Sequence, residues 1–194
     1  MIQALYPPFR KWSETGTVWI YSDTHFGDVE LAAGIPDRPS DDEHVKLINK
    51  HCGKKDTLLL LGDVGDIEYA KKLRGYKVLI CGNHDIGHTA YEDVFDEVYS
   101  GPLWIAEKLL LSHEPIQMIN CAVNIHGHDH SRKTVNDPYH VNVCSDAVGY
   151  QPLNLNQFIQ RSGRLAKVPS IHRQTIDRAT GKRRGKDNAI RFHS

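Results

Sequence analysis

No apolar run in the 194 residues approaches the roughly 20 positions a transmembrane helix needs, so no membrane partner is expected. Met1 to Arg10 lacks a basic stretch followed by an apolar one, and no secretory signal is read there. Cysteine is sparse: Cys52, Cys81, Cys121 and Cys144 lie far apart and form no C-x-x-C pair. Reduced, buried thiols in a cytoplasmic protein are the expected state. An excess of either charge is also missing, with 24 Lys/Arg against 24 Asp/Glu, which excludes a uniformly basic nucleic-acid binder. The zero hides a split. Residues 1–160 hold 14 Lys/Arg and 22 Asp/Glu, a net −8, and residues 161–194 hold 10 and 2, a net +8. The hydrophobic content of 40% is too high for a disordered chain, and the length suits one core rather than two ordinary domains. What the chain has in abundance is histidine, 12 against 5 Phe and 3 Trp. Histidine is both the commonest metal ligand and a common acid or base.

Thr17 to Ser22 reads as a buried strand, followed by a loop with Gly34, Pro36 and Pro39. Ser40 to Glu43 is a capping-box signature, with Ser40 as N-cap and Glu43 reaching back, for a helix that closes near Gly53. Thr57 to Leu61 is a second strand, Ile67 to Arg74 a short helix and Lys77 to Cys81 a third strand. That alternation predicts α/β layers with a partly parallel sheet. Short strand-like runs follow at Val98–Tyr99, Trp104–Ala106, Leu109–Ser112, Ala122–Ile125 and His140–Cys144, and Asn154 caps a helix over Leu155–Gln160. Residues 161–194, with GKRRGK at 181–186 and little apolar periodicity, read as a mobile basic tail.

Metal-type side chains recur where an apolar run stops: Asp23 and His25, Asp63, Asn83 and His84, His113, then His126, His128 and His130. In open α/β sheets ligands collect at the carboxyl ends of strands, so five strand ends can meet at one place. Mixed nitrogen and oxygen donors without thiolate suit Mn, Fe, Zn or Ni. Two aspartates, one asparagine oxygen and four of these histidines would be too many donors for one ion and would suit two with a shared carboxylate, an arrangement used in phosphate-ester hydrolysis. His126, His128 and His130 share strand parity, so spacing alone does not separate them.

In order and type these residues resemble the calcineurin-like metallophosphoesterases, which carry D-x-H, G-D, G-N-H, a lone H and G-H-x-H. Here they stand as Asp23-Thr24-His25, Gly62-Asp63, Gly82-Asn83-His84, His113 and Gly127-His128-Asp129-His130. The likeness runs from about Val18 to about Phe158, and Ser22 to Gly27 is similar to a small bacterial and phage branch. Asp28 stands where that branch often has histidine.

The resemblance implies a four-layer αββα sandwich of two mixed sheets flanked by helices, filling residues 1–160. It implies that Asp23, His25, Asp63 and His130 hold one divalent ion and that Asn83, His113 and His128 complete a second, with Asp63 bridging. Manganese is the first expectation, with Fe, Zn, Ni or Mg as alternatives. A hydroxide between the ions would attack phosphorus in line, with His84 beside the substrate. Asp85, directly after it, is expected to serve catalysis by orienting or charge-tuning His84. Arg38, Phe26 and Asp28 are candidates for touching substrate, and a solvated loop is as good a reading of them. The expected activity is hydrolysis of a small phosphodiester. One alternative is a nuclease whose basic tail holds nucleic acid through phosphates. Another is a non-catalytic metal-binding module on the same fold, against which the intact donor set and His84 speak.

Overall fold

Apolar runs buried on both faces become the inner strands of a parallel sheet. In the computed structural model, which describes residues 1–85, 88–117, 121–131 and 137–169, these are β1 (Val18–Tyr21), β2 (Thr57–Leu60) and β3 (Tyr76–Ile80). They run parallel, with Val18 opposite Thr57 and Thr57 opposite Tyr76. β4 (Glu97–Tyr99) joins parallel to β3, and β9 (Leu153–Asn154) joins antiparallel to β1, giving the order β4-β3-β2-β1-β9. The second half forms another mixed sheet from β5 (Leu103–Ala106), β6 (Leu109–Leu111), β7 (Val123–His126) and β8 (His140–Asn142). There β5 and β6 are antiparallel, and β6, β7 and β8 are parallel.

The period of two along each strand sorts the side chains into two cores. Val18, Ile20, Leu59, Val78 and Ile80 of the first sheet pack with Ile105, Leu109, Leu111, Val123 and Ile125 of the second. The alternate residues Tyr21, Leu58, Leu60 and Leu79 face the other way. They pack with Val45 and Ile48 of α2 (Asp41–His51), Ala70 of α3 (Ile67–Ala70), and Tyr91 and Phe95. The chain is therefore α/β, two mixed sheets flanked by helices, as the sequence suggested. α4 (Leu155–Arg161) is capped by Asn154, whose side chain accepts from Gln157 N.

Local details differ from the sequence reading. Ser40 holds the N-cap position of α2 but makes no capping bond with its side chain. Asp41 Oδ2 instead accepts from Gly27 N at 3.0 Å, which ties the helix start to the loop after β1. The loop contains an unforeseen helix, α1 (Val29–Gly34), capped by Asp28. α3 stops at Ala70 rather than Arg74, because Asn49 takes the Lys72 carbonyl and the Arg74 N–H. Within the expected tail, residues 161–169 complete α4 and form α5 (Arg164–Lys167), and Val168 is buried against the inter-sheet core. Residues 170–194 lie outside the described residues. Among the described residues no helix is long and apolar enough to cross a membrane. All four cysteines are free thiols.

Candidate metal centre

The two sheets touch where their strands end. Ser22, just past β1, bridges Cys144, just past β8. The segment after β1 also runs beside the segment after β2, with Asp23 N donating to the Gly62 carbonyl and His25 N to the Asp63 carbonyl. From the second sheet, Gly127 N donates to the His113 carbonyl. Strand ends from both sheets thus face one space.

The backbone there is strained in a consistent way. Six non-glycine residues among those described have left-handed φ. Four of them are Asp23 (60°), His25 (41°), Asp63 (52°) and His128 (66°). Each such residue costs on the order of 1–3 kcal/mol and persists where surrounding structure enforces it, most often at functional sites. Gly127 allows the closest approach. A Cβ at this position would fall inside contact distance of Ser22 Oγ and Asp23 Oδ2.

The side chains form two groups. Asp23, His25 and His130 each offer a donor atom, all within 4.8 Å of one another, and Asp63, His113 and His128 do the same. Asp63 Oδ2 lies between the groups, 3.5 Å from His25 Nε2 and 3.3 Å from His113 Nε2. His130 Nε2 is 3.7 Å from Asp23 Oδ1. Asn83 Oδ1 joins the second group, 2.9 Å from His113 Nε2 and 3.0 Å from His128 Nδ1. All seven donors expected from the sequence are therefore brought together.

The chemistry of these atoms fits cations. Asp23 Oδ1 and His25 Nε2 are buried and have no hydrogen-bond partner, a costly state for polar atoms unless something else meets them. His113 donates Nδ1–H to the Leu61 carbonyl at 2.7 Å, so in the neutral ring Nε2 presents a lone pair. That lone pair faces the oxygens of Asn83 and Asp63. Acceptors converging on acceptors need a cation or a proton between them.

The protonation tendencies agree. Burial pushes the Asp63 carboxyl up, but hydrogen bonds from His113 and the His84 N–H, with His25 nearby, bring it below the ordinary value. Burial lowers His113, yet the bond to Asp63 and the charges of Asp23 and Asp63 raise it overall. His25 is lowered, chiefly by burial, against the pull of Asp63 and Asp23.

The remaining candidates divide. His84 is exposed at the mouth of the site, its ring centroid 5.5 Å from that of His25, and its N–H donates to Asp63 Oδ1 at 2.9 Å. Asp85 is not aimed at the His84 ring. Its carboxylate accepts from Asp63 N, Val64 N, Gly82 N and the Tyr91 hydroxyl, so it clamps the loops from behind instead of orienting the His84 ring. Arg38 is also turned inward, its side chain 3% exposed in an ion pair with Asp146, and does not reach a substrate surface. His126 is buried and belongs to neither group. Its Nδ1 donates to the Gly127 carbonyl. Asp146 was not singled out in the sequence, yet its Oδ2 lies 2.7 Å from His130 Nδ1. It follows a strand end, the same signal that marked the other residues. A cleft of about 340 Å³ opens beside the site, lined by His25, Phe26, Asp28, His84 and Tyr91 among others.

No family model matches the chain. It is 28% identical to the gene 66 protein of Mycobacterium phage D29, a match covering 67% of this chain and 88% of that protein. A crystal structure of a protein of unknown function from Aquifex aeolicus superposes with a TM-score of 0.61 at 24% identity, covering 74% of this chain and 98% of that one. A Pseudomonas putida nuclease, MPE, overlaps partially, with a TM-score of 0.42 at 21% identity over 58% of this chain and 61% of the nuclease. The two-sheet architecture is shared with the Aquifex protein.

Proposed function

We propose that the chain is a calcineurin-like metallophosphoesterase that hydrolyses phosphoester bonds, small phosphodiesters by preference, with two divalent ions as cofactor. The observation that carries this reading is the position of Asp63 Oδ2, one carboxylate oxygen within 3.5 Å of an imidazole nitrogen from each group. Asp23, His25, Asp63 and His130 would hold one ion, and Asp63, Asn83, His113 and His128 the other. Mn suits these donors first, with Fe, Zn, Ni and Mg behind it. Bound together, two such ions supply positive charge to the phosphoryl oxygens and lower the pKa of a coordinated water.

The chain's own groups do the rest. Asp63 Oδ1, held by the His84 N–H, fixes the loop that carries His84. The exposed His84 ring is placed to hydrogen-bond a phosphoryl oxygen or to give a proton to the leaving oxygen. The neighbouring cleft has room for one small organic arm.

The test is a metal analysis of the purified protein, then turnover with added Mn on a monoester, a diester, a 2′,3′-cyclic nucleotide and single-stranded DNA. We expect metal-dependent hydrolysis, fastest on the small diesters. His84→Ala should lower kcat about 10²- to 10³-fold with metal content unchanged, since it removes transition-state contact and no donor. A protein that retained no transition metal and turned over none of the four would overturn the reading. Preference for DNA would replace the small diester by nucleic acid.

A further inference from the structure

One of the two groups is backed by a buried polar brace. Both carboxylate oxygens of Asp146 accept from Arg38 Nη1, at 2.9 and 2.8 Å, and Oδ1 accepts from the Tyr150 hydroxyl at 2.7 Å. Oδ2 also faces His130 Nδ1 at 2.7 Å. Arg38 Nη2 continues to the carbonyls of Asp23 and Thr24, at 3.3 and 2.7 Å, and Ser145 Oγ donates to the Asp23 carbonyl at 2.8 Å. The side chains of Arg38 and Asp146 are 3% and 1% exposed.

We propose that Asp146 and Arg38 are positioning residues for the group Asp23, His25 and His130, and for that group alone. The proposal rests on the metal-dependent reading above. Asp146 accepts the Nδ1 proton of His130, so the ring keeps the tautomer whose Nε2 lone pair faces Asp23. His130 is 29% exposed at its side chain and would otherwise be free to turn. Arg38 holds the carbonyls of Asp23 and Thr24, and so keeps the left-handed Asp23 turn in place. A buried ion pair is weak grounds for stability, because desolvation offsets its attraction. Its use here is geometric.

His130, Cys144 and Asp146 also have donor atoms within 4.8 Å of one another, which invites a separate ion site. The Arg38 guanidinium, 2.8 Å from the Asp146 carboxylate, already supplies the positive charge there, and a cation would be repelled. The second group has a different backing. His113 Nδ1 is held by the neutral Leu61 carbonyl, and His128 is exposed. Loss of the brace should therefore act on one ion and spare the other.

Equilibrium dialysis of Mn against wild type, Asp146→Ala and Asp146→Asn tests this, together with nitrogen NMR of the His130 ring in the metal-free proteins. Asp146→Ala should weaken one of two Mn sites about 10- to 100-fold and leave the other unchanged, the size usual for a partner behind a metal ligand. In the metal-free protein its His130 ring should lose the Nδ1–H tautomer. Asp146→Asn keeps the volume and one acceptor, so it should fall between, and it decides the matter if the alanine variant does not fold. Equal weakening of both sites, no weakening, or an unchanged His130 tautomer would overturn the brace. A wild type that binds no Mn would instead overturn the metal reading, while the tautomer measurement still judges the brace.

Discussion

The two sheets contribute different things to the site. The five-stranded sheet, buried on both faces at its centre, brings Asp23 and Asp63, which are 0% and 2% exposed, with His25. The four-stranded sheet brings imidazoles, His113, His128 and His130, of which His128 is exposed and His130 half-buried. Negative charge is thus fixed in the more enclosed sheet, and the rings reach it from the other. Parallel strands all end on the same side, so the first sheet gathers its carboxylates without long loops. A cation at the junction would tie the two sheets together through side chains, beyond the Ser22–Cys144 bridge.

Asp63→Ala is the strongest way to break this division, because Asp63 Oδ2 lies between the two donor groups, against His25 of the first sheet and His113 of the second. We expect metal content to fall below one ion per chain and kcat/KM to fall about 10³-fold or more, the equivalent of roughly 4 kcal/mol. Retention of both ions would mean that each donor group holds its ion without the shared carboxylate. Elemental analysis and diester turnover on the same sample separate the outcomes.

Much of this site was legible because its residues sit directly after apolar runs. The runs at 57–61 and 77–81 are buried on both faces, so their ends were easy to find, and Asp63 and Asn83 follow at once. Asp146 obeys the same rule but was passed over. The run before it closes in Cys144 and only Ser145 intervenes, but the intervening residue is not the glycine that precedes Asp63 and Asn83. For Asp85, adjacency to His84 is a poor guide to what its carboxylate holds. Neighbours in sequence do not share a direction, and its oxygens go to backbone N–H groups 21 and 22 residues away in the chain. The left-handed turns at Asp23, His25, Asp63 and His128 were not legible, since non-glycine residues adopt them only under tertiary constraint. α1 was missed because its 6 residues bury no face and so carry no apolar period.

Gly127→Ala probes the junction at a smaller scale. The new methyl would press on Ser22 and Asp23, so the second sheet's loop or the first sheet's carboxylate must move. Overpacking of this kind costs typically 1–3 kcal/mol. We expect a lower Tm in the metal-free protein and weaker Mn binding. An unchanged Tm with normal Mn binding would show that the sheets are less closely coupled there than the contact implies.

The smallest effect asks whether the first sheet's own backing is acid-sensitive. His44 is 1% exposed, between Tyr21, Phe26 and Tyr150, with its Nε2 2.7 Å from the Tyr21 hydroxyl. Burial first, and Arg38 second, push its pKa from 6.5 down to about 3, against a weaker pull from Asp146. The folded state therefore keeps the ring neutral where the unfolded chain would protonate it. Its contribution is complete above pH 6.5 and is lost as pH falls towards 3, amounting to about 2 kcal/mol at pH 5. His113 and His130 are raised and work in the opposite sense, favouring the metal-free fold as pH falls. Urea unfolding of metal-free wild type and His44→Gln at pH 7.5 and 5.0 isolates the first term, because the second is common to both proteins. We expect the stability lost between the two pH values to be smaller in the variant by about 2 kcal/mol. An identical loss would mean that His44 takes up its proton inside the fold, and that acid reaches the first sheet through another group.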